Sequence, residues 1–206
     1  MSDPLLKLIS TGLRLWVTSR CERVGEMELT LQGSSFGLLR GRLEGVVLQA
    51  RDVRFDGLPL QHVELSSGAL RLDLSLLQPG RMAALAEPFA VQGTVTIPGA
   101  ELNEALLSER WSGLGDWMAE RLLGVTPLGR LVMDNDVVEL EAQVMAHRDP
   151  IRRRFRLVAE AGTVQFRSLS DERERTSLPM DPAIRITDVS VSAGRITLEG
   201  HASVTP

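Results

Sequence analysis

A single cysteine, Cys21, is all the thiol chemistry in the chain, which excludes an intrachain disulfide and any zinc site built on clustered cysteines. That fits a reducing compartment, and a disulfide-free exported protein equally. Tyrosine is absent and aromatic residues make up only 4% of the sequence, so the stacking platforms of single-strand nucleic-acid binders are missing. The net charge of -4 and an isoelectric point near 5.5 give no whole-molecule attraction to phosphate backbones, so no nucleic-acid partner is expected. No window approaches the roughly 18 consecutive apolar residues that a transmembrane helix requires. The opening segment MSDPLLKLISTGLRLWVTSRC carries Asp3 near its start, and Lys7 and Arg14 interrupt its apolar run, which makes it a poor signal peptide. Together these features predict a protein that is cytoplasmic or peripheral to a membrane.

Catalytic and cofactor patterns are missing too. The sequence holds no GxSxG elbow, no Walker loop, no GxGxxG after a strand and no HExxH. Its three histidines, His62, His147 and His201, lack metal-ligand spacing and read as surface or strand-edge residues. Asp134 and Asp136 flank a turn, and Glu139 and Glu141 lie on a wet strand face, so these carboxylates serve turn chemistry and solvation. Cys21, with no neighbouring Cys or His to activate it, reads as a spectator. The expectation is a protein that is not an enzyme, with no catalytic residues, no metal and no cofactor.

What is present is strand. From Arg42 to Leu77 apolar residues recur mostly at period two, through Val46, Leu48 and Ala50, Val53 and Phe55, Val63 and Leu65, then Leu70, Leu72 and Leu74. The phase slips between Ala50 and Val53 and again between Leu65 and Leu70, and such slips predict bulges that bend a sheet. Met27, Leu29 and Leu31 form an earlier strand, and Val91, Val95 and Ile97 a later one. Between the two strand groups, RMAALAE reads as a short helical piece ended by Pro88. The segment AELNEALLSERWSGLGDWMAERLLG reads as two helices with a break at Ser112-Gly113 and Gly115, stopped by Gly124. The stripes are Leu102, Ala105 and Leu106, then Leu114, Trp117, Met118, Arg121 and Leu122.

The remainder is read as hairpins. They turn at Asp134-Asn135-Asp136, Ala161-Gly162 and Ala193-Gly194, with Asp171 to Pro182 as a charged loop. An amphipathic helix over about 4–19 opens the chain, with Asp3 as candidate N-cap, Pro4 at the first helical position and a wide apolar face. The order of helix, strands, helices over about 100–123 and strands, joined by hairpins, predicts α+β with antiparallel sheets. At 206 residues and 43% hydrophobic content, a single domain over 1–206 is expected.

Arg152, Arg153, Arg154 and Arg156 are the one charge cluster, and period two puts Arg152, Arg154 and Arg156 on one strand face. Such a stripe either meets lipid phosphates or an acidic partner, or is a solvated edge that blocks aggregation.

The segments RDVRFDGLPLQHVELSSGALRLDL and VTIPGAELNEALLS resemble the LmeA family of phospholipid-binding proteins, a bacterial group, over about residues 20–145. The resemblance implies a tubular lipid-binding architecture, a strongly curved antiparallel β-sheet wrapped around amphipathic helices with a groove for acyl chains. It also implies a phospholipid or related lipid as partner; the poor signal peptide departs from exported members.

The combined expectation is non-enzymatic lipid binding or carriage in an apolar groove, at a membrane surface. Its lining candidates are Leu13, Trp16, Val46, Leu48, Leu70, Leu72, Leu106, Trp117, Met118 and Leu122, with Arg152, Arg154 and Arg156 as headgroup candidates. The alternative is a structural or protein-interaction domain whose same residues form a solid core.

Overall fold

The computed structural model describes residues 4–34, 36–37, 40–73, 84–85, 87–143, 149–171 and 173–205, with backbone alone at 4–8, 72–73 and 84–85. Helix α1, Pro4–Arg20, has proline at its first position, where a missing N–H costs nothing. Strands β1 (Arg23–Gln32), β2 (Arg42–Leu43), β3 (Gly45–Phe55), β4 (Leu58–Ser67), β5 (Leu70–Asp73), β6 (Ala84–Leu85) and β7 (Phe89–Pro98) follow. Helices α2 (Gly99–Leu107) and α3 (Ser112–Leu123) then lead to β8 (Arg130–Asp134), β9 (Val137–Ala142), β10 (Ile151–Glu160), β11 (Thr163–Ser168), β12 (Arg175–Ser177), β13 (Ile184–Ser192) and β14 (Arg195–Val204).

Among the described residues the strands form three open sheets: six strands in the order β1-β3-β4-β7-β14-β13, five in the order β12-β11-β10-β9-β8, and three in the order β2-β5-β6. Their pairings are antiparallel, which makes the fold α+β as expected. Tight turns explain the hairpins. Ala161 and Gly162 have φ of 53° and 82°, and Ala193 and Gly194 have 49° and 72°, the left-handed pair of a two-residue turn whose twist matches its strands. Asp56 and Gly57, at 53° and 80°, make the same turn between β3 and β4. Gly124, with φ of 77°, ends α3 in the left-handed conformation that glycine adopts at least cost.

The two predicted phase slips have different origins. Asp52 sits inside β3 with φ of 52°, and this left-handed residue lets Ala50 and Val53, three apart, both reach the interior. The second slip is no bulge, because at Gly68 and Ala69 the chain leaves the six-stranded sheet and enters another as β5.

Four further expectations are corrected. Ala84 and Leu85, inside the predicted helix RMAALAE, form β6 instead, because Ala84 and Leu85 pair with Asp73 and Leu72. The helical break precedes Ser112: Ser108 Oγ donates to the Ala105 carbonyl and Trp111 accepts from Leu114, so Ser112 and Gly113 belong to α3. The buried face of α3 is Gly115, Met118, Ala119, Leu122 and Leu123, which leaves Arg121 in solvent. Within the expected loop 171–182, Arg175–Ser177 pairs with β11 as β12. Asp3, Leu74 and His147 lie outside the described residues.

The main core joins the five-stranded sheet, both later helices and the β7, β13 and β14 corner of the six-stranded sheet, around Leu140, Phe155, Met118 and Ala119. Phe155 and Phe166 meet edge to face at 6.0 Å, a favoured aromatic geometry. A second cluster packs Ile9 and Leu13 of α1 on Leu43 and Leu70, flanked by Leu29, Leu31, Val46 and Phe89. A third centres on Ala50, Val53 and Val63.

Candidate functional site

Strand register builds one apolar face on the six-stranded sheet. Directly opposed residues run in rows across the strands, and residues two apart share a face. One row is Leu29, Leu48, Leu65, Gly93, Gly200 and Ile186. The next is Met27, Ala50, Val63, Val95, Leu198 and Val189. A bulge between Ile186 and Asp188 keeps Ile186 and Val189 on this face although they are three apart. On the other side, Ser67 opposes Val91, Val91 opposes Ala202, and Ala202 opposes Ile184.

Two corners of this face are covered. Helix α1 packs over the Leu29, Leu31 and Val46 end, and the main core closes over Ile97, Ile196, Val189 and Val191. Between them Leu48, Leu65, Val91 and Ala202 are only half-buried, and Ile184 is 39% exposed. At the centre of the half-open face stand two glycines. A Cβ on Gly93 would collide with the Glu64 carbonyl oxygen, and one on Gly200 with the Arg185 carbonyl oxygen, so the close strand approach there demands glycine.

The predicted lining residues divide into groups. Leu13, Leu70 and Val46 join the α1 cluster. Leu106, Met118 and Leu122 are buried in the main core, with Trp117 packed against it. Leu48 lies on the half-open face, Trp16 is half-buried with the Arg20 guanidinium 5.4 Å from its ring centre, and Leu72 is in β5. The structure therefore does not bring the ten residues to one place.

The arginine stripe does share an exposed face, but its charge is answered. Arg152 opposes Glu141 and Arg154 opposes Glu139 in the ladder, with N to O distances of 2.7 and 3.9 Å, and Arg156 lies 2.8 Å from Asp136. The hydrogen bond and charge of Glu141 hold the Arg152 guanidinium above its ordinary pKa. By contrast Arg14, Arg20, Arg23, Arg40, Arg42 and Arg54 make no ion pair among the described residues.

The reverse face of the six-stranded sheet is polar. Gln49, Glu64, Ser66, Gln92, Thr94, Thr187, Glu199 and His201 line a groove of about 460 Å³, and His62 Nε2 lies 3.0 Å from Glu64 Oε1. A smaller cavity of about 190 Å³, lined in part by Arg23, Asp52, Arg54 and Glu101, was not foreseen from the sequence. The slip after Ala50 was its one readable signal. Among the described residues no group of three or more His, Cys, Asp or Glu is placed to hold a metal ion, and no helix is long and apolar enough to cross a membrane.

An α+β protein of open antiparallel sheets, with an apolar face half open between two packed corners, is the class this geometry defines. The chain belongs to the LmeA-like phospholipid-binding family, whose model matches residues 2–201. No curated protein and no solved structure matches it.

Proposed function

We propose that the protein binds or carries a phospholipid or related lipid, without chemistry, by desolvating acyl chains on the half-open face at a membrane surface. Family membership supports lipid as the partner. The observation that carries the reading is the row Leu48, Leu65, Gly93 and Gly200, apolar and half-buried beside two covered corners. Each CH₂ removed from water there stabilises a complex by about 0.8 kcal/mol. In this reading the sheet curls about α1 in the tubular manner of lipid carriers, its glycine pair marking the bend.

Membrane contact is supported by Phe55, 47% exposed at the β3–β4 turn beside the unpaired Arg54. Arg152, Arg154 and Arg156 are a second headgroup edge, weaker because each has a carboxylate partner to release first. The packing of Leu106, Met118 and Leu122 favours the alternative, a protein-interaction domain with a solid core.

Native mass spectrometry and solvent extraction of the purified protein, with uptake of a fluorescent phospholipid, separate the two. Co-purified lipid or saturable uptake is expected; the absence of both selects the solid-core reading.

A further inference from the structure

Asp52, Val53 and Arg54 of β3 line the 190 Å³ cavity together with Pro59, Leu60 and Gln61 of β4. Asp52 is left-handed there, with φ of 52°. Arg23 and Glu101 complete the part of the wall that matters here.

Arg23 and Arg54 stand directly opposite each other across β1 and β3. Like charges at that spacing destabilise a sheet. The same ladder, three residues on, sets Glu26 opposite Arg51 at 4.0 Å, the arrangement that charge prefers. Other arginines also face arginines, but Arg156 and Arg167 are relieved by Asp136 and Glu160, and Arg71 by Glu87. Among the described residues, Arg23 and Arg54 face each other with no carboxylate on either. Asp52 and Glu101 line the same cavity and make no ion pair among the described residues, so its rim carries two positive and two negative charges on exposed residues.

We infer that this cavity recognises a zwitterionic phosphate-amine headgroup, of the phosphoethanolamine type, with Arg23 and Arg54 on the phosphate and Asp52 and Glu101 on the ammonium. The inference rests on the phospholipid reading above. Guanidinium to phosphate and carboxylate to ammonium contacts are the strong, charge-assisted kind. The volume is below the roughly 300–1,000 Å³ of sites for drug-sized ligands, room for a headgroup and not a whole lipid. Val53 and Leu60 also belong to the apolar cluster around Ala50 and Val63, so part of the cavity wall is apolar.

The test loads the full chain with fluorescent phosphatidylethanolamine or phosphatidylglycerol of identical acyl chains. The unsubstituted protein is expected to prefer the ethanolamine lipid. Arg23→Gln with Arg54→Gln lowers loading of both lipids by about tenfold, the loss of charged hydrogen bonds. Asp52→Asn with Glu101→Gln removes the preference while phosphatidylglycerol loading persists; asparagine tolerates the left-handed backbone at 52. Equal loading of both lipids by the unsubstituted protein, or a preference that survives Asp52→Asn with Glu101→Gln, overturns the headgroup assignment and leaves lipid binding standing. Loading of neither lipid overturns both.

Discussion

Gly93 on β7 stands opposite Gly200 on β14, and at neither position is there room for a side chain. The pair interrupts an otherwise apolar row between Leu65 and Ile186, leaving a gap in the middle of the half-open face. The two backbones pressed against them, at Glu64 and Arg185, belong to the neighbouring strands of the same ladders.

Gly93→Ala should therefore cost about 1–3 kcal/mol, as overpacking against a fixed backbone does. Gly68→Ala, where nothing lies within 4 Å of the added carbon, should change stability by no more than about 0.5 kcal/mol. Urea unfolding of both variants checks this; equal effects would mean that the strands at Gly93 part easily.

Leu48→Asp should leave the protein folded, at a cost of about 1 kcal/mol for a half-buried leucine, while uptake of fluorescent phospholipid is lost. Leu140→Ala, at a fully buried position, should cost about 2–5 kcal/mol and leave uptake unchanged at temperatures where the variant is folded. Uptake by Leu48→Asp at the original level would remove the half-open face from the lipid site.

Exchanging Arg152, Arg154 and Arg156 together for glutamine should leave stability nearly unchanged, since all three are exposed and solvent screens their ion pairs. Lipid loading is expected to persist, because Glu141, Glu139 and Asp136 already answer these charges. A loading defect in the folded triple variant would instead locate the headgroup at this edge.

Burial pushes the Cys21 thiol above its ordinary pKa, since desolvation disfavours the thiolate. Alkylation of Cys21 should be slower than that of a free thiol near neutral pH and should accelerate as pH rises past the usual thiol range. Rapid labelling at neutral pH, followed by mass spectrometry, would contradict the burial.

Much of the fold was legible because it follows from local chemistry. Pro4 and the apolar spacing placed α1, Gly124 stopped α3, and Ala193-Gly194 turned β13 into β14. The RMAALAE segment was misread since Ala84 and Leu85 gain their strand conformation from β5, a partner distant in sequence. The break before α3 was misplaced because glycines inside a helix resemble breakers unless their packing is known; Gly115 is buried against the Leu106 carbonyl.

Composition and periodicity determined the α+β antiparallel character and the apolar identity of the strands, since each depends on residue type and on neighbours a few positions away. The division of the apolar residues was decided by packing. Leu106 and Met118 look like Leu48 in any hydropathy pattern, yet the first two are sealed by the five-stranded sheet and Leu48 is not. Register likewise decided which charges are free. Ladder pairing answers Arg152 with Glu141 and leaves Arg23 facing Arg54, a contrast that arises only when strands far apart in the chain are set side by side.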